Sequence, residues 1–127
     1  MNNSEYKRAW NEAVSFFETR FGRGIDIDGI LFLIGVQELG KGKVQLSKEE
    51  KTDVIHVAVC TLLEPYGYYE FTGTDPEGWP HFKQTMKLPH LRPLDQQKLI
   101  KEAIIDYVES QKLSNVPDSV AKQEKIK

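Results

Sequence analysis

In the stretch KEEKTDVIHVAVC, Asp53, His56 and Cys60 recur at one-turn intervals, and Glu49 stands one turn earlier. At 100° per residue these four side chains fall in a sector of roughly 60° on a helical wheel. Two carboxylates, an imidazole and a thiol would therefore share one stripe of a helix. Asp53 and His56 have the spacing by which helix bundles present ligands to divalent metals. Glu38 is the third candidate ligand, and carboxylate with imidazole suits zinc, manganese or iron. Bundle sites of that kind repeat the motif and add further glutamates, whereas this chain carries the motif once. A plainer reading competes: acids gather at a helix N-terminus because the dipole favours them, and His56 and Cys60 lie where the face turns inward.

Glu38 ends the apolar stretch GILFLIGVQELG. In the last turn of a helix the dipole disfavours an anion, so the dipole does not explain it. It shares a wheel sector with Leu31 and Ile34, which makes it a partly enclosed carboxylate in need of a partner. Lys41, Lys43 and His56 are the candidates.

Other chemistry finds less support. Adding His81 and His90 to His56 and Cys60 gives a spacing that matches no standard zinc pattern. Cys60 is the single cysteine; it sits inside a helix and not at its start, where a thiol is activated. No G-x-S-x-G elbow occurs, and GRGIDIDG and GKGK fit neither phosphate-loop pattern. Three helices followed by a hairpin would match a winged-helix order, yet the third helix offers acids and aliphatics where base or phosphate reading needs Arg, Lys, Asn or Gln. The net charge of −2 adds no general attraction for nucleic acid.

A second candidate site is aromatic. Tyr66, Tyr68, Tyr69, Phe71, Trp79 and Phe82 are crowded into YGYYEFTGTDPEGWPHF. On a two-stranded ribbon half of them would point away from the core, and exposed Tyr, Trp and Phe suit a partner interface. Closing a lid over the core is the alternative use of the same rings.

The elements that must position these groups follow from periodicity. Tyr6, Trp10, Ala13, Val14, Phe17 and Phe21 form one helical face, predicting a helix over about 4–20 with Ser4 as cap and Gly22 as stop. Asp28 and Gly40 bound a second helix that is apolar on nearly every side, which predicts a central position. Ser47 and Glu50 form a capping box opening a third helix that ends at Glu64, before Pro65. Asp75-Pro76-Glu77-Gly78 matches a type I turn, so 68–74 and a returning arm from Trp79 make either a hairpin or an ordered aromatic loop. Asp95 caps a last helix to about Gln111, with Leu94 and Leu99 as a hydrophobic staple.

The sequence thus predicts a mainly α, four-helix single domain over 1–113, with a β-hairpin or ordered aromatic loop between helices 3 and 4. Residues 114–127 read as a mobile polar tail. The chain has 127 residues, 39% of them hydrophobic, which suits one domain with its own core. The N-terminal residues lack a signal-peptide pattern, no apolar run approaches membrane-spanning length, and a lone cysteine suits a reducing compartment. The expectation is a cytoplasmic, non-catalytic interaction module that self-associates as a homodimer through Tyr68, Tyr69, Phe71, Trp79 and Phe82. A metal-dependent enzyme on Glu38, Asp53 and His56 is the alternative, and a winged-helix-like nucleic-acid binder the third reading.

Overall fold

The computed structural model describes residues 2–39, 46–87 and 89–114. Four helices and one hairpin follow in order: α1 (Asn3–Phe21), α2 (Ile27–Leu39), α3 (Lys48–Leu63), β1 (Tyr69–Thr74), β2 (Pro80–Gln84) and α4 (Pro93–Ser114). The mainly α, four-helix fold is the one the periodicity predicts, and of the hairpin and the ordered loop left open between the third and fourth helices it is the hairpin that forms. None of the described helices is long and apolar enough to cross a membrane. The proposed tail lies outside the described residues, apart from Ser114 at the end of α4.

Each helix start has an identifiable cause. At α3 the expected capping box forms: Ser47 Oγ accepts from Glu50 N at 3.1 Å and Glu50 Oε1 accepts from Ser47 N at 2.9 Å. The same device opens α1, where the cap is Asn2 and not Ser4. Asn2 Oδ1 accepts from Glu5 N at 2.8 Å, and Glu5 Oε1 accepts from Asn2 N at 3.0 Å. At α2 the cap is Asp26, whose Oδ1 accepts from Gly29 N at 2.8 Å; Asp28 is already helical. At α4, Pro93 takes the first helical position, where its missing N–H costs nothing. Asp95 pairs with Arg92 at 3.0 Å instead of capping, and Leu94 is 79% exposed, so the staple with Leu99 does not form.

Ala13 and Phe17 of α1, Ile30, Leu31 and Ile34 of α2, Ala58, Leu62 and Leu63 of α3, and Ala103, Ile104, Ile105 and Val108 of α4 make one core. The hub is α3, which packs on α2, on α4 and on both strands, while α1 packs on α4. The sequence pointed to α2 as the central helix. Ile30 and Ile34 are indeed fully buried, but Phe32, Leu33 and Val36 on the far side of α2 are only partly covered. Gly35 explains the tight side: a Cβ there would strike the Val54 carbonyl oxygen and lie 2.6 Å from Val54 Cγ1. The glycine lets α2 lay its backbone directly on α3.

The hairpin pairs Tyr69 with Gln84, Glu70 with Lys83 and Phe71 with Phe82. It then shifts register around Thr72, so that Gly73 faces His81. Thr72 Oγ1 donates to the His81 carbonyl at 3.1 Å across this bulge. The turn closes with Gly78 N donating to the Asp75 carbonyl at 2.9 Å, and Gly78 takes φ +93°, where a side chain would be strained.

Candidate functional site

The hairpin lies across α3 and leaves a cleft of about 470 Å³ between its turn and second strand and the stretch of that helix from Glu50 to Cys60. The α3 wall carries Glu50, Asp53, His56 and Cys60; the hairpin wall carries Asp75, Glu77, Trp79, His81 and Phe82. Two sets of residues that the sequence kept apart, the polar stripe and the aromatic stretch, therefore meet in one place.

Two polar pairs organise the cleft. Asp75 is the anchor of the turn: its Oδ1 accepts from Glu77 N at 3.0 Å and Trp79 N at 2.9 Å, and its Oδ2 lies 2.9 Å from His81 Nε2. The bond to His81, with those from the two amides, holds the Asp75 carboxyl below its ordinary range. On the helix wall, His56 Nε2 lies 3.4 Å from Cys60 Sγ. Cys60 is 1% exposed, and burial pushes its thiol up to about 11. At neutral pH this sulfur is protonated and screened, the opposite of an activated nucleophile. Labelling with a disulfide reagent at pH 8 is accordingly expected to run at least about 100-fold slower in the folded protein than in urea. Labelling at the unfolded rate would show the helix wall to be open.

Glu38 stands elsewhere. Its Oε2 accepts from Tyr107 Oη at 2.8 Å, and that hydroxyl also accepts from Gln37 Nε2 at 2.9 Å. Gln37 reaches on to Gln111 Oε1 at 2.9 Å, so a polar seam joins the end of α2 to α4. Burial, and then the Glu38 carboxylate beside it, push the Tyr107 hydroxyl up. Of the partners expected for Glu38, His56 lies in the other cleft, and Lys41 and Lys43 fall outside the described residues. Glu38 lines a smaller cavity of about 330 Å³ with Thr61, Glu64, Phe71, Thr74, Pro80 and Phe82. Asp53 and His56 thus share a cleft with each other and not with Glu38. His90 is exposed and lines neither cavity. Among the described residues no trio of His, Cys, Asp and Glu is arranged to hold a metal ion.

The rings divide between the two uses foreseen for them. Tyr66, Tyr68 and Tyr69 pack, partly buried, against the core. Tyr66 Oη donates to Asp106 Oδ2 at 2.6 Å, and Tyr69 stands edge-on to His56 with centroids 6.4 Å apart. Trp79 and Phe82 line the cleft. Phe71 is 47% exposed and meets Phe82 edge-to-face at 5.7 Å between centroids. Its amide donates to Glu64 Oε2 at 3.1 Å, which ties the outer edge of β1 to the end of α3. The opposite hairpin face is polar, with Glu70, Thr72 and Lys83 exposed.

A wider, open groove of about 840 Å³ runs between α1 and the start of α4 over Trp10, Val14, Leu31 and Ile100. Its rim groups already have structural work: Asp26 caps α2, and the Lys101 ammonium lies 5.0 Å from the Trp10 ring centroid.

No family model matches this chain, and no curated protein or solved structure is significantly similar to it. Of the cleft residues, sequence reasoning singled out His56, Asp53, Cys60, His81, Trp79 and Phe82. The sequence marks Asp75 and Glu77 only as turn residues, although a hairpin closing at 75–78 necessarily returns residue 81 beside 75. Glu50 is marked only as half of a capping box, which it is.

Proposed function

We propose that the protein is a non-catalytic interaction module that docks a partner over the Phe71–Phe82 rim of the hairpin, and that a second copy of the chain is that partner. The observation that carries this reading is Phe71. It is a large ring left 47% exposed on the hairpin, edge-to-face with Phe82 where the two cavities meet. Aromatic anchors buried at the centre of an interface dominate the energy of protein contacts, and a ring left open beside a concavity is placed to become one. An isologous pair is the commonest assembly, and it would cover the rim on both copies at once. The screened, protonated Cys60 and the pairing of His81 with Asp75 favour binding over catalysis.

Light scattering at micromolar concentration is expected to return twice the 14.6 kDa chain mass. Phe71→Ser, at a half-exposed position that leaves the core intact, should return the monomer with little change in Tm. A monomeric wild type, or a dimer that ignores Phe71→Ser, would end this reading.

A further inference from the structure

We draw no further inference here: the strongest candidate, the open groove between α1 and the start of α4 over Trp10, Val14, Leu31 and Ile100, is an unpartnered apolar face, and nothing in the structure shows what covers it.

Discussion

Gly35→Ala is expected to destabilise the protein by about 3 kcal/mol, at the upper end of what overpacking costs. On propensity alone the substitution would help, since glycine inside a helix is worth up to about 1 kcal/mol less than alanine. Contact geometry decides the sign. The new methyl would run into the Val54 carbonyl oxygen and lie 2.6 Å from Val54 Cγ1. A backbone oxygen cannot rotate away as a side-chain tip can, so α2 and α3 must part, and the hub of the fold loosens with them. Urea denaturation gives the answer directly. Stability unchanged or raised by alanine would mean that the two helices do not approach as closely as described.

The second large effect is expected at Ile34, one residue earlier and fully buried. Ile34→Ala should cost about 4 kcal/mol, within the range for truncating a core isoleucine where neighbours cannot collapse into the space. The position lies in the cluster shared by all four helices, so no single element can shift to refill it. Leu94→Ala is the control: that side chain is 79% exposed, and the change should stay within about 0.5 kcal/mol. Similar losses at both positions would show that burial is not what separates them.

The sequence disclosed the elements well because local rules govern them. Apolar spacing in Tyr6–Phe17 and in Leu99–Tyr107, the Ser47–Glu50 box and the Asp75–Gly78 turn each act within a few residues. Where local rules offered two registers, the choice was less legible. Asn2 and Ser4 can both cap, and Asn2 alone has a glutamate, Glu5, three residues on to close the box; between Asp26 and Asp28 no such local signal chooses. Relations across the chain were harder still. Glu38 was legible as a carboxylate needing a partner, but nothing nearby in sequence marks Tyr107, brought to it by the packing of α4. Cys60 beside His56 follows from helical spacing; the meeting of both with Trp79 and His81 requires the hairpin to fold back on α3. The bulge at Thr72, which sets His81 opposite Gly73, has no signal beyond the glycine itself.

Copies of this chain are proposed to meet at the Phe71–Phe82 rim. An equimolar mixture of isotope-labelled and unlabelled protein, examined by isotope-filtered nuclear Overhauser spectroscopy, reports only contacts between copies. Cross-copy contacts to the ring protons of Phe71 and Phe82 are the expected result. Contacts confined to another surface, such as the groove over Trp10, or no cross-copy contacts at a concentration where the claim requires a dimer, would contradict it.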